Sequence, residues 1–446
     1  MVYLRNRIVL ITGAGFSAPA KLPIQDKILD EMVTASISDF MSADPIRESR
    51  KFLTAYINIA IYLLKVYGNV DTKKLEEKYD VLRRNYWADD RVNSVLKYIL
   101  KEHSKEAGIK NFSLNKLLDD AAQKYIIDTD QYSYSLLEIK EELRKLLQNY
   151  KIAINLEDVF TAFDKSISMR ENTKDYSYIQ MDILQHSLLR LFVYYFANKI
   201  NKHTYTCKDY ENVMLFLEQE KGYVSIITTN WDVLLEQYMN RKGIEFDYNF
   251  NSEYVIDEII KSKTLKGKSE DNIKFLKIHG SINWFRCLRC GTLQVCGADE
   301  CGQYLFDDSK EEKCYKCGQI AYGDQVQLKP EIITPTMLKS INSQLYNNLW
   351  QNAAYQLQNA DKIIFCGYSL PIADFEFRYL LKQNIKQNAK IDVVLYHNDN
   401  PAEISEGYSV KNLLPEKRFK DLFSGNECSF FYEGFGEYFA KSISKT

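Results

Sequence analysis

Arg7-Ile8-Val9-Leu10-Ile11-Thr12-Gly13-Ala14-Gly15-Phe16-Ser17-Ala18 is the stretch on which the fold class turns. Ile8 to Thr12 form a short β-rich run, and glycine follows at once. Gly13, Gly15 and Ala18 fall on the G-x-G-x-x-G/A spacing that joins a strand to a helix. Glycines there permit a tight turn and let backbone approach an anionic group, whose charge the following helix N-terminus favours. Taken alone, the same residues describe an ordinary glycine turn at a strand end equally well.

Outward from that turn, the pattern becomes helical beyond Asp26 and stays so for almost two hundred residues. Leu53–Val66, Val92–Leu100, Tyr134–Leu147 and Ile183–Ile200 carry apolar residues three and four apart, the spacing of one helix face. Strand-like runs return at Tyr223–Ile227, Ile273–Ile278, Glu331–Ile333, Lys362–Cys366, Ile391–Tyr396 and Ser429–Tyr432. Helical segments separate several of them, which predicts the α/β class: a Rossmann-like, mostly parallel sheet with a large helical insertion and a small zinc ribbon. Residues 1–40 form the first part of the Rossmann-like domain, 41–214 the insertion, and 215–446 the second part, which contains the ribbon at 285–328. A hydride-transfer domain is disfavoured, because it needs a second strand within about 30 residues, ending in a ribose-binding acid. Asp30 and Glu31 instead lie inside a helical pattern.

Composition narrows the function classes. The chain has 446 residues, 46% hydrophobic and 26% charged, the balance of an ordinary globular protein. Its net charge of −2 provides no field for nucleic acid or an anionic membrane, and no direct nucleic-acid site is evident. The longest uncharged apolar stretch, Phe52–Leu64, has 13 residues, short of the roughly 20 a membrane span needs, and reads as a buried helix. The apolar run Ile8–Ile11 is too short for a signal peptide, so a cytoplasmic protein without membrane association is expected.

Six of the nine cysteines lie between Cys287 and Cys317. In a cytosolic chain such clustering points to metal before disulfides. Cys287-x2-Cys290 and Cys314-x2-Cys317 are two knuckles whose four thiolates suit a tetrahedral structural Zn2+. The 23 residues between them slightly exceed the common spacing, and Cys296 and Cys301 in that interval either replace a knuckle, bind separately or stay free.

Four segments, in order, give a more specific likeness. Gly13-Ala14-Gly15-Phe16-Ser17 with Leu22-Pro23 resembles the sirtuin nucleotide-binding opening. Thr228-Thr229-Asn230-Trp231-Asp232 resembles that family's T-x-N-x-D element, and Ile278-His279-Gly280-Ser281 its histidine segment. Gly367-Tyr368-Ser369-Leu370 resembles its G-x-S loop, and Asn398 its adenosine-ribose asparagine. The likeness spans the start and the C-terminal half but not about 41–214. It implies NAD as substrate, bound by Gly13, Ala14, Gly15, Phe16, Ser17, Thr228, Gly367, Ser369 and Asn398. His279 is then the general base, as a histidine near its natural pKa accepts a proton at neutral pH. Asn230 orients water or the ribose hydroxyls, and Asp232 holds the nicotinamide carboxamide. Asn230 and Asp232 also suit the start of the helix that Val233-Leu234-Leu235 begins, and Ser369 equally suits a turn before Pro371. The family also carries a structural zinc ribbon after its histidine; here the first cysteine comes eight residues past His279.

Departures from the pattern matter as much. Protein-deacylating sirtuins follow the opening proline with Asp-Phe-Arg, where this chain has Ile24, Gln25 and Asp26. Their Phe-Gly-Glu element is replaced by Lys329-Pro330-Glu331-Ile332-Ile333-Thr334-Pro335. Pro371–Leu381 reads as a capped helix, where a deacylase offers an extended edge for an acyl-lysine peptide. The nucleotide half is kept and the peptide half lost, so the chain is most similar to bacterial anti-phage defence sirtuin-like NAD hydrolases. That likeness implies cleavage to nicotinamide and ADP-ribose, a homo-oligomer, and a regulatory partner such as a HerA-type ATPase or a short Argonaute. No P-loop is present, so an ATPase would be a separate chain. The alternatives are an NAD-dependent protein-lysine deacylase and a non-catalytic sensor of NAD or ADP-ribose.

Overall fold

The computed structural model describes residues 6–20, 22, 25–34, 50–82, 129–150, 156–202, 207–250, 255–256, 272–297, 314, 317, 328–334, 344–372, 374–395, 404–405 and 408–444. The opening run is strand β1 (Ile8–Thr12), buried at all five positions. The strands that follow are β2 (Val224–Thr228), β3 (Phe246–Asp247), β4 (Val255–Ile256), β5 (Ile273–Lys277), β6 (Gly280–Cys287) and β7 (Leu293–Val295). Then come β8 (Leu328–Ile332), β9 (Lys362–Cys366), β10 (Lys390–Val394), β11 (Ile404–Ser405), β12 (Tyr408–Ser409) and β13 (Cys428–Phe431).

Seven of these form one sheet in the order β13-β10-β9-β1-β2-β5-β3. Every pairing within it is parallel. The central strands β1 and β2 are buried along their whole length, as expected of a parallel sheet covered on both faces. Sheet order runs from β1 to β2 and β5 on one side, and to β9 and β10 on the other. This reversal is a topological switch point, and the crevice outside the carboxyl ends of such strands is where ligands bind in open α/β sheets. The Rossmann-like, parallel architecture read from the sequence is therefore present.

Helices α1 (Gln25–Thr34), α2 (Arg50–Val66), α3 (Thr129–Tyr150), α4 (Leu156–Met169) and α5 (Tyr178–Lys202) occupy the interval between β1 and β2. Leu53, Ile57, Ile59, Ala60, Leu63 and Leu64 of α2 have no exposed surface. Each large aliphatic side chain so buried contributes about 1.5–3 kcal/mol, so α2 is a core helix of this layer. Among the described residues no helix is long and apolar enough to cross a membrane. The hydroxyl of Tyr56 donates to the Val33 carbonyl and that of Tyr195 to Glu31, fastening α2 and α5 to α1. The run Val92–Leu100 lies outside the described residues. Further on, α6 (Lys208–Gln219), α7 (Leu234–Lys242), α8 (Gln344–Asn359), α9 (Phe375–Asn384), α10 (Val410–Leu422) and α11 (Phe435–Ile443) accompany the sheet.

A second sheet has the order β4-β7-β6-β8. The run Glu331–Ile333, grouped by sequence with the parallel strands, belongs here instead: β8 pairs antiparallel with β6. Pro330 sits in β8, which is tolerable because β8 is an edge strand and need not donate on its outer side. Arg286 of β6 grips Glu331 through two bonds of 2.7 and 2.9 Å, fixing the pair of strands.

Candidate active site

Thr12, Thr228, Lys277 and Cys366 end β1, β2, β5 and β9 on one edge of the sheet. The glycine turn packs against the loop after β9. Gly15 donates its amide to the Gly367 carbonyl at 2.9 Å, and Gly13 donates to Cys366 at 3.2 Å. A Cβ on Gly367 would lie 2.0 Å from the Phe16 nitrogen, and its φ of 63° is one that L side chains rarely adopt. A Cβ on Gly13 would lie 2.8 Å from the Gly367 oxygen. These glycines are thus required by the contact of two loops. The amides of Gly15, Phe16 and Ser17 are spent inside this arrangement, on Gly367, Gly13 and Ala14 respectively. The Phe16 ring turns away from the edge into the core, stacked on Phe435 at 4.6 Å, while Tyr210 donates to its carbonyl at 2.6 Å.

Asn230 spans the gap between the β1 and β2 loops. Its Nδ2 donates to the Gly13 carbonyl at 2.9 Å and to Ser17 Oγ at 3.1 Å. Ser17 Oγ in turn donates to Asp232 Oδ2 at 2.8 Å. The other Asp232 oxygen accepts the Leu234 amide at 3.0 Å, so the carboxylate serves the start of α7 and the site loop together. Thr228 is buried; its hydroxyl accepts from Thr12 at 2.8 Å and from the Asn230 amide at 3.1 Å, locking the two strand ends.

His279 stands two residues past the end of β5, the next strand over. Its position follows from Ile278, whose amide bonds the Thr228 carbonyl at 3.2 Å. Asn230 and His279 therefore leave neighbouring parallel strands on the same carboxyl edge. The histidine is only 6% exposed, and its carbonyl accepts the Ile333 amide at 2.8 Å. Gly280 after it has φ 79°, and a Cβ there would lie 2.1 Å from the Glu331 carbonyl. Trp231 closes this side, donating through Nε1 to Ile333 at 3.2 Å with its ring edge-on to Phe192 of α5.

Ser369 is exposed, and its carbonyl accepts from Arg418 at 3.2 Å. Asn398 lies outside the described residues. The structure thus brings Gly13, Gly15, Ser17, Asn230 and Asp232 into one bonded group around Gly367, with His279 on the adjoining strand end.

Three residues at this edge carry no motif. Lys277, with no exposed surface, bonds the Asp232 carbonyl and Glu236 Oε1, the latter at 2.6 Å. Burial pushes the Glu236 carboxyl up, against the pull of the Lys277 ammonium, and Tyr248 also donates to it. Asp374 opens α9, yet its side chain does not cap that helix. One oxygen accepts from Tyr368 at 3.1 Å and the other lies 3.8 Å from His279 Nε2. Burial, then the Asp374 charge, drives the Tyr368 phenol well above its ordinary range, so it remains a donor.

At the end of β6 the thiols of Cys287, Cys290, Cys314 and Cys317 all lie within 4.8 Å of one another. Cys287 and Cys317 are 3.8 Å apart, and Cys290 and Cys314 are 3.6 Å apart. Zinc–thiolate bonds of about 2.3 Å in a tetrahedron place sulfurs about 3.8 Å apart, so the four residues fit a zinc ion. Cys296 is separate from the four: its amide and carbonyl bond Asn283 at 2.8 Å each. Cys301 lies outside the described residues.

A parallel sheet with a glycine turn and converging loops at its switch point is a Rossmann-like architecture. Residues 224–412 match the family model described as the SIR2-like domain. That match makes the C-terminal half of the chain similar to a SIR2-like domain. Among solved structures, the chain is similar to one from work on the mechanism and regulation of Sir2 enzymes. The two share 17% identity over 53% of this chain and 67% of that one, with a TM-score of 0.28. Another is Sir2Tm bound to a propionylated peptide, at 12% identity over 98% and 92% of the two chains, with a TM-score of 0.33. A third is Sir2Af2 bound to a myristoylated histone peptide, at 16% identity over 57% and 78%, with a TM-score of 0.30. No curated protein matches the chain.

Proposed function

We propose that this protein is an NAD hydrolase that cleaves the nicotinamide–ribose bond, releasing nicotinamide and ADP-ribose. Breaking that bond builds oxocarbenium-like charge on the ribose, and the site must stabilise it and deliver a nucleophile. His279 is the general base, Asn230 orients water or ribose, and Asp232 meets the carboxamide. The Gly13–Ser17 turn, Thr228, Gly367, Ser369 and Asn398 form the cofactor cradle.

The observation that carries this choice is α9. The segment after Gly367–Leu370 is helical from Phe375, where a deacylase would need an extended edge to pair with a peptide. With a helix at Phe375–Asn384 in place of such an edge, water is the natural acceptor. A non-catalytic sensor is disfavoured because mere binding has no use for a buried imidazole on the strand end next to that of Asn230. Residues 1–40 and 215–446 are then the catalytic unit and 41–214 a helical insertion. A cytoplasmic, homo-oligomeric enzyme in anti-phage defence, held in check by a HerA-type ATPase or a short Argonaute, is the biological setting this reading favours.

The test is incubation with NAD and chromatography of products, with and without acyl-lysine peptide. Nicotinamide and ADP-ribose are expected without peptide; release that demands peptide, with an O-acyl product, overturns hydrolysis in favour of deacylation. The ribbon at 285–328 has its own check. One zinc per chain is expected by metal analysis, falling well below one in Cys314→Ser, because a four-thiolate site loses most of its affinity with one ligand gone. Protein purified without chelator and carrying no zinc would contradict it.

A further inference from the structure

We propose that Asp374 is the positioning residue of His279: its carboxylate holds the imidazole through Nε2–H, leaving Nδ1 to receive the proton from substrate. The inference rests on the reading of His279 as the base.

Geometry comes first. Asp374 Oδ1 lies 3.8 Å from His279 Nε2, and both side chains are largely buried, at 13% and 7% exposure. At that separation the pair is in charge contact and outside hydrogen-bond range; catalytic hydrogen bonds are often long without substrate and tighten when it binds. Residue type and location alone would assign Asp374 to capping α9, but no capping bond from its side chain is made. The carboxylate is turned inward and held by the Tyr368 hydroxyl at 3.1 Å. Its backbone carbonyl accepts the Arg378 amide at 2.9 Å, which anchors the residue to the first turn of α9. One carboxylate oxygen is thus fixed by a phenol and the other aimed at an imidazole, the way a buried acid sets a histidine's tautomer.

The charged and titratable groups around the pair come from each neighbouring element. Tyr368 follows β9, and Arg378 on α9 acts on that phenol. On the histidine's side, Tyr346 of α8 and the Glu331 backbone flank Gly280. Arg286 and Glu331 act on Tyr346 with opposite signs and are bonded to each other. Asp374 is the anion directly opposite Nε2.

The consequence for the reaction is a defined proton path. A water proton passes to Nδ1 as the water oxygen bonds the anomeric carbon. Nicotinamide departs with the electrons of the broken C–N bond. The imidazolium so formed is stabilised by Asp374 until Nδ1 releases its proton to solvent.

Asp374→Asn keeps the side-chain shape and removes the charge. An opposite charge at this range raises a histidine pKa by about one unit or more. The variant should therefore titrate His279 about one unit lower, and the acid limb of the kcat/KM profile should move to lower pH by the same amount. Histidine 15N spectra of the ligand-free protein, assigned with His279→Gln, read both the titration and the tautomer. The Nε2–H form is expected in wild type, and its share is expected to drop in Asp374→Asn. If His279 titrates identically in both proteins with an unchanged tautomer, the proposal fails, whatever happens to the rate. Because this readout needs no turnover, absence of NAD cleavage in wild type would sink the hydrolase reading while leaving the pair to be judged by its spectra. Asp374→Ser serves the same comparison if Asp374→Asn does not fold.

Discussion

His279→Ala is expected to slow nicotinamide release by about 100- to 10,000-fold, the usual contribution of a positioned general base. The fold should persist, because the bond this residue makes to Ile333 uses its backbone carbonyl, which alanine retains. Affinity for NAD should change only a few-fold, since an interaction confined to the transition state lowers kcat without changing ground-state binding. Asn230→Ala should behave differently. It removes the donor to the Gly13 carbonyl and to Ser17 Oγ, which joins the two loops that would form the cofactor cradle. Both KM and kcat are therefore expected to worsen, together with some loss of thermal stability. Calorimetric NAD binding beside product chromatography separates the two cases. If His279→Ala releases nicotinamide at the wild-type rate, the imidazole is not the base and the proposed chemistry has to be abandoned.

The parts of this site that the sequence exposes are those whose signals are local. β1 and β9 are short apolar runs ended by glycine, and their bounds fall within a residue or two of the runs Arg7–Thr12 and Lys362–Cys366. The loops after β1, β2, β5 and β9 carry their polar residues in compact motifs, and parallel pairing then brings those loops to one edge. β6 escapes the same reading, because Ser281, Asn283 and Arg286 interrupt its apolar residues. Their partners come from far along the chain: Asn283 bonds the Cys296 carbonyl and Arg286 bonds Glu331. Glu331–Ile333 was readable as a strand but not as a member of the second sheet, since its partner is set by β6. Asp374 shows the same limit. Its type and place at the start of α9 signal a cap, while Tyr368 and His279, which the chain path alone brings near, decide where the carboxylate points. Lys277 is the clearest case. A lysine at a strand end reads as solvated, and only Glu236, on the helix that follows β2, makes its complete burial tolerable.

That burial makes Lys277→Met the substitution with the largest expected effect on stability. Removing one partner of a buried ion pair costs about 3–5 kcal/mol, because the other is left without compensation. For a protein of this size the loss corresponds to roughly 5 °C in unfolding temperature. Glu236 is 1% exposed, and burial already pushes its carboxyl up against the opposing pull of Lys277. Without the ammonium its folded pKa rises further above the unfolded value. An acid shifted upward contributes its stability below the unfolded pKa and loses it as pH climbs through the folded one. The deficit of Lys277→Met should therefore be smallest at acid pH and widen toward neutrality. Adding Glu236→Gln should recover part of it, most clearly at neutral pH, since the amide cannot be left as a buried anion. The site should suffer as well: Lys277 bonds the Asp232 carbonyl, and Asp232 holds Ser17, which in turn receives Asn230. Thermal unfolding of the single and double variants across pH 5 to 8 measures all of this. A deficit that stays constant with pH, with no recovery in the double variant, would mean that Lys277 acts through packing alone and not as the counterion that sets the Asn230 loop.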